Sequence, residues 1–374
     1  VRLVSIVGTR PQLIKAAALG PALRARHEEV FVDTGQHWDD ELAGVFFAEL
    51  GLPRPDVSLG IGGGSASEQV GRMLPALEAV LVEARPDAVL VYGDTNSTLA
   101  GALAAAQRGL PLAHVEAGLR SFDRTMPEEV NRVVADHLAR WCFAPTPTAV
   151  ANLAAEGIRD GVVLVGDVLQ DLAARTIPAI RDPEVLAEIG RRLLGDGAIL
   201  APGGYLFATV HRAANRSVEA MRRWLGLLAA LGRPERPVVL PLHPGTRAAI
   251  EAAGLSIPAG VAVVPPVGYR TSLALQLHAA AVLTDSGGVQ REAAWLGVPC
   301  LVLRETTEWR EAVEGSEGRL VVVGLDAARA TAELERLAPP ERSAVDAAAR
   351  AAGLELRPAG AAEAIADVLA DAGG

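Results

Sequence analysis

Leu3-Val4-Ser5-Ile6-Val7-Gly8-Thr9-Arg10-Pro11-Gln12-Leu13-Ile14-Lys15 decides the fold. Leu3–Val7 is a short, largely apolar run of the kind that suits a strand covered on both faces. Gly8-Thr9-Arg10-Pro11 reads as a glycine turn running into a helix start. A strand, a turn and a helix start in that order present free backbone N–H groups and a positive dipole end to an anion. The segment also holds Lys15, the only lysine in the chain, the other 34 of its 35 basic residues being arginine. A compact ammonium can act where a planar guanidinium fork cannot, so Lys15 reads either as a chance remnant or as a residue kept for chemistry.

Outward from this segment the pattern repeats. Leu3–Val7, Val30–Asp33, Ala88–Tyr92, Leu112–Val115 and Val162–Val165 are predicted strands, spaced widely enough for crossover helices. Tyr205–Val210, Val238–Pro241, Val261–Val264, Ala281–Thr284 and Cys300–Leu303 continue the theme. The runs are short, apolar and rich in β-branched residues, as parallel strands require. At 374 residues the chain is long enough for two domains, and Ile177-Pro178 and Asp182-Pro183 interrupt the pattern near its middle. We expect an N-terminal Rossmann-like domain over 1–172, a C-terminal one over 173–356, and a helix within 357–374 that returns to the first domain. No repeat of 20–50 residues is visible.

Composition excludes several classes. No uninterrupted apolar stretch approaches the roughly 20 residues that span a bilayer, so no membrane association is expected. A signal peptide is not evident, and Cys142 and Cys300 stand far apart in apolar surroundings, as buried thiols of a reducing cytoplasm would. The net charge of −10 argues against nucleic acid as a general partner. Neither a Walker A pattern nor a G-x-G-x-x-G fingerprint occurs, and no zinc-ligand spacing is present, so no cofactor and no metal is expected.

Open α/β sheets bind ligands at the carboxyl ends of their strands. Polar residues crowd those ends here: Gly93-Asp94-Thr95-Asn96-Ser97, Glu116-Ala117-Gly118-Leu119-Arg120, His211-Arg212, His243-Pro244 and Asp285-Ser286-Gly287-Gly288. Ser286-Gly287-Gly288 fits a diphosphate cradle at a helix start, with Glu292 one turn in and able to meet a ribose; it fits an ordinary N-cap as well. Met126-Pro127-Glu128-Glu129 can be read as simple helix capping, and Glu128 with Arg132 as a plain i, i+4 surface pair. Asp94 and Glu116 end adjacent strands, however, and could meet the same cleft. Carboxylates in different environments are what is needed to take a proton from one face of a carbon and return it to the other. The glycines at 60, 62, 63 and 64 read as a mobile loop followed by Arg72.

Over nearly its whole length the chain resembles the non-hydrolysing UDP-N-acetylglucosamine 2-epimerase family. The matching stretches are GTRPQLIK at Gly8–Lys15, TGQH at Thr34–His37, YGDTNSTLAGALAA at Tyr92–Ala105 and HVEAGLRSFDRTMPEEVNR at His114–Arg132. VGDVLQD at Val165–Asp171, HR at His211–Arg212 and TDSGGVQREAAWLGVPCLVLRETTEW at Thr284–Trp309 complete them. The resemblance implies an α/β fold of two Rossmann-like domains in a glycosyltransferase-B-type arrangement, a UDP-sugar in the interdomain cleft, and a homodimer. It implies that Arg10, Lys15, His211, Ser286, Gly287, Gly288 and Glu292 hold the nucleotide. Asp94, Glu116 and Glu128 become the acid/base residues, supported by Arg132, and Lys15 a ligand of phosphate or of the carboxylate cluster. A second, regulatory nucleotide site known in part of the family would involve Gln36, His37, Arg72 or His243.

The implied reaction is epimerisation at C2 of a UDP-2-acetamido sugar, UDP-GlcNAc to UDP-ManNAc. C2–H has no adjacent carbonyl to acidify it, so a feasible route expels UDP from C1 first, forms a glycal and adds UDP back. Departures from the family pattern fall at Ala214, where a glutamate is usual, at Arg291 in Gln290-Arg291-Glu292-Ala293, and at Trp309, where an arginine is usual. Other features resemble relatives acting on UDP-2,3-diacetamido-2,3-dideoxyglucuronate, and a UDP-sugar glycosyltransferase shares the cradle.

Overall fold

A computed structural model describes residues 1–36, 47, 49–195 and 200–370. The chain forms two compact units: Val1–Leu172 with Arg357–Gly374, and Ala173–Leu356. The first is built on a parallel sheet of β1 (Arg2–Val7), β2 (Glu28–Asp33), β3 (Val57–Ser58), β4 (Ala88–Tyr92), β5 (Leu112–Val115), β6 (Trp141–Ala144) and β7 (Val162–Leu164). Its strand order is β3-β2-β1-β4-β5-β6-β7. The second carries β8 (Leu206–Thr209), β9 (Val238–Pro241), β10 (Val261–Val264), β11 (Ala281–Thr284), β12 (Cys300–Val302) and β13 (Leu320–Val322), ordered β10-β9-β8-β11-β12-β13.

In each sheet the order reverses between two central strands, β1 and β4 in the first and β8 and β11 in the second. A crevice opens at such a point because the chain leaves the two strands toward opposite sides. The segments after these strands, Gly8–Arg10 and Gly93–Asp94 in one unit, His211–Arg212 and Ser286–Gly288 in the other, are those the sequence marked.

The central strands β1 and β4 are buried, Val4, Ile6, Val89 and Val91 packing with Met73 and Leu77 of the helix Ala66–Ala84 in one core. The other core gathers Leu206, Ala208, Leu240 and Leu283 around Trp224 and Leu228 of the helix Val218–Leu231. The strands β3, β6 and β13 were not expected. β3 and β13 are only two and three residues long, and Trp141-Cys142-Phe143-Ala144 contains no β-branched residue.

The helix Ala361–Ala370 rejoins the first unit for reasons legible in its contacts. Asp171, buried, accepts from Gly360 N at 2.8 Å and from Ala362 N at 2.9 Å, satisfying free N–H groups of the first turn. Arg26, which ends the helix Arg10–Arg26, pairs with Glu363 at 2.6 Å and Asp367 at 3.0 Å. His27 Nε2 donates to the Ala366 carbonyl at 2.8 Å. Among the described residues no helix is long and apolar enough to cross a membrane.

Candidate active site

The first unit assembles a charged group at the ends of β4 and β5. Lys15, carried by the helix Arg10–Arg26, forms an ion pair with Glu116, and the two side chains are only 8% and 9% exposed. The structure therefore sets Lys15 among the carboxylates. Gly93 makes room for this pair: a Cβ there would lie 2.7 Å from Lys15 Nζ and 3.2 Å from Glu116 Oε2, and its φ of 60° is one that side-chain-bearing residues avoid. Glu116 itself has φ 71°, an uncommon backbone state that tends to collect at functional positions.

Asp94 follows Gly93 and is held by the helix Pro127–Leu138. Arg132 forms an ion pair with its carboxylate, and Asn131 Nδ2 donates to its main-chain carbonyl at 3.0 Å. Arg132 is itself fixed at 2.5 Å by Glu129, not by Glu128 as the i, i+4 pairing suggested. Glu129 is 1% exposed and also accepts from Ser121 N, Ser121 Oγ and Phe122 N at 2.8–2.9 Å. Glu128, next to it at the second helical position, is exposed.

Sequence reasoning missed Glu129, treating it only as a capping acid. A signal was available: Glu129, Arg132, Val133 and Asp136 recur at i, i+3, i+4 and i+7, the period of an inward face, and three of the four are charged.

The second unit presents the cradle. Ser286 caps the helix Gly287–Trp295, its Oγ accepting from Val289 N at 3.5 Å, and Ser286 N donates to Thr284 Oγ1 at 3.0 Å. The N–H groups of that first turn, with the helix dipole behind them, are the kind of donors an anion meets at a helix start. Asp285, wholly buried, accepts from His211 N at 3.0 Å, Arg212 N at 2.9 Å and Asn215 Nδ2 at 2.8 Å, so it fixes the His211-Arg212 turn. The His211 ring is 61% exposed, with Nδ1 3.5 Å from Asp285 Oδ1. Glu292 is buried and accepts from Gln276 Nε2 at 2.6 Å, which orients the carboxylate expected on a ribose.

Glu308 and Trp309 line the cradle. Glu308 accepts from Arg212 at 3.0 Å and pairs with Arg304 at 2.7 Å. Burial alone would raise its carboxyl, but Arg304 and Arg212 hold it below the ordinary carboxylate range. Arg291 stacks 3.8 Å from the Trp309 ring centre, so two of the three departures from the family pattern meet as a cation–π pair. A Cβ on Gly287 would come within 2.8 Å of Glu308 Oε1 and 2.9 Å of Trp309 Nε1. Gly287→Ala is thus expected to displace this wall and to destabilise the second unit by about 1–2 kcal/mol, the cost of overpacking, measured as a lowered thermal midpoint.

Gln36, Arg72 and His243 each make local contacts. Gln36 Oε1 accepts from Ser97 N at 2.9 Å and Ser97 Oγ at 2.7 Å, at the start of the helix Asn96–Gln107. Arg72 donates to the Gly62 and Gly63 carbonyls at 2.9 and 2.5 Å, tying down the glycine loop that the sequence reading takes as mobile. His243 caps the helix Pro244–Ala252, its Nδ1 accepting from Gly245 N at 3.1 Å. Arg10 is half-buried at the head of its helix. His37 lies outside the described residues.

A profile described as UDP-N-acetylglucosamine 2-epimerase matches residues 22–370. A Methanococcus maripaludis protein named UDP-N-acetylglucosamine 2-epimerase homolog is 42% identical over 329 residues, covering 86% of this chain and 88% of that protein. A Pseudomonas aeruginosa protein named UDP-2,3-diacetamido-2,3-dideoxy-D-glucuronate 2-epimerase is 43% identical, with 86% and 88% covered. Among solved structures, the Methanocaldococcus jannaschii UDP-GlcNAc 2-epimerase in complex with UDP-GlcNAc and UDP superposes with a TM-score of 0.84 at 33% identity, covering 99% of each chain.

Proposed function

This chain belongs to the UDP-N-acetylglucosamine 2-epimerase family, and on that premise we propose that it interconverts UDP-GlcNAc and UDP-ManNAc by elimination and re-addition of UDP. One observation carries the reading at the level of chemistry. Asp94 and Glu116 lie at neighbouring strand ends, each bound to its own buried cation, Arg132 and Lys15. Two carboxylates so differently supported can take different roles at one sugar, Asp94 moving a proton at C2 and Glu116 stabilising charge at C1.

In the proposed cycle the C1–O bond breaks with its electron pair passing to UDP, and positive charge develops at C1. A carboxylate removes the C2 proton, and the C2–H electrons become the C1=C2 bond of a glycal. Re-addition reverses this: a UDP oxygen attacks C1 while a carboxylic acid delivers a proton to the opposite face of C2. Asp94 and Glu128 exchange the two protons, and Glu116 stabilises the charge at C1. Ser286, Gly287 and Gly288 retain the diphosphate, with Arg10 and His211 assisting and Glu292 on the ribose. Donors aimed at the departing diphosphate contribute most where charge develops.

The test is the reaction in deuterated water. UDP-ManNAc formed there carries deuterium at C2, as does UDP-GlcNAc recovered after equilibration, with no acceptor needed and no free UDP accumulating. Product without deuterium at C2 sinks the proposal. The P. aeruginosa relative motivates a second reading, in which the sugar is the 2,3-diacetamido uronate. A kcat/KM on that sugar exceeding the value on UDP-GlcNAc would establish it.

A further inference from the structure

His114 lies on β5, fully buried, with both ring nitrogens engaged. Nε2 stands 2.7 Å from the carbonyl oxygen of Gly93, and Nδ1 stands 2.7 Å from Asp136 Oδ1. A carbonyl oxygen can only accept, so Nε2 is a donor. Asp136 Oδ2 already accepts from Arg120 at 2.7 Å and from Gly118 N at 3.1 Å. The Arg120 guanidinium, which stays charged, holds Asp136 as a carboxylate whatever the state of the ring. Oδ1 of an ionised Asp136 also only accepts, so Nδ1 must be a donor as well.

The surroundings agree. Beyond Asp136 and Arg120, this cluster holds Glu156, which receives Arg120 in a two-pronged bond at 2.7 Å, and the half-exposed His137, whose Nδ1 lies 3.9 Å from Glu156. Asp136 is wholly buried and shares its guanidinium with Glu156, and a cationic His114 ring completes the neutralisation of its charge. From β6, Cys142 is the strand partner of His114, and burial pushes its thiol up to about 12, so it brings no charge. On the Gly93 side stand Lys15 and Glu116, already paired with one another.

We propose that His114 is a positioning residue, a doubly protonated ring clamped by Asp136 that fixes the Gly93–Asp94 turn and thereby aims the Asp94 carboxylate. Gly93 N donates to the Val115 carbonyl at 2.9 Å while its own carbonyl takes His114, so the left-handed glycine is tied on both sides. A neutral ring could serve only one of its two acceptors as a donor. The ring is sealed from water and both its N–H groups are committed, so it holds geometry and transfers no proton. This rests on the reading of Asp94 as an acid/base residue.

The direct test is nitrogen-15 NMR of the full-length protein labelled in its histidine rings, with His114 assigned by its loss in His114→Gln. At neutral pH both ring nitrogens of His114 should carry protons in the wild type, and one should lose its proton in Asp136→Asn. In both variants kcat should fall by about a hundredfold, the scale of a small misplacement of a reacting group, with UDP affinity unchanged. A bare ring nitrogen in the wild type overturns the proposal. Wild-type kcat in whichever of the two variants is folded does so equally. If Asp94→Asn keeps full C2 exchange, the acid/base reading fails while the ring spectrum stands on its own.

Discussion

Asp94→Asn should lower kcat by about a hundred- to ten-thousand-fold, the range spanned by positioned proton transfer, and should slow C2 deuterium exchange in step. The substitution preserves shape and a hydrogen-bonding oxygen, and Arg132 keeps its bond to Glu129, so the helix Pro127–Leu138 has no reason to move. UDP binding, which depends on the cradle after β11, should be unchanged. The informative pattern is therefore a loss confined to kcat, with calorimetric affinity for UDP and the thermal midpoint held near wild type. Equal losses in affinity and turnover would mean that Asp94 only shapes the site, and the proton assignment would have to be withdrawn.

Lys15→Met should cost both stability and rate. Lys15 and Glu116 are buried against each other, and removing one partner strands the other's charge away from water. Breaking such a pair costs about 3 kcal/mol or more, which for a unit of this size lowers Tm by roughly 10 °C. Turnover should fall as well, because Glu116 loses the ammonium that holds it beside Gly93. Lys15→Arg separates the two effects. It keeps the charge, so most of the stability should return, yet the broader fork cannot occupy the space next to Gly93 without shifting Glu116. A thermal midpoint near wild type with reduced kcat is the expected result, read by calorimetry and steady-state kinetics; full kcat in Lys15→Arg would leave the pair with a structural role only.

The architecture and the site were legible to different depths. Ten strands announced themselves because a buried parallel strand must be apolar throughout, and the strand ends stood out because polar residues abruptly follow. Asp94, Glu116, Ser286 and His211 could be read from that contrast alone. What could not be read was which residues hold them. Glu128 and Glu129 are adjacent in sequence and identical in chemistry, yet about 100° of helical turn sends one into water and the other beneath a loop. Two of the groups that Glu129 holds are the main-chain N–H groups of Ser121 and Phe122, the latter at a residue with a φ of 62°. Asp285 likewise binds backbone amides contributed from another strand end. Partners of that kind carry no side-chain signature, so no local window reveals them.

The return of the helix Ala361–Ala370 to the first unit sets an order of assembly. Asp171 waits for Gly360 and Ala362 N–H groups, and Arg26 for Glu363 and Asp367, residues that emerge from the ribosome only after the whole of Ala173–Leu356. Domains fold as units during synthesis. The later-made unit can therefore reach its final packing while the earlier one still exposes the helix face that this segment covers, so the half that begins first is the half that finishes last.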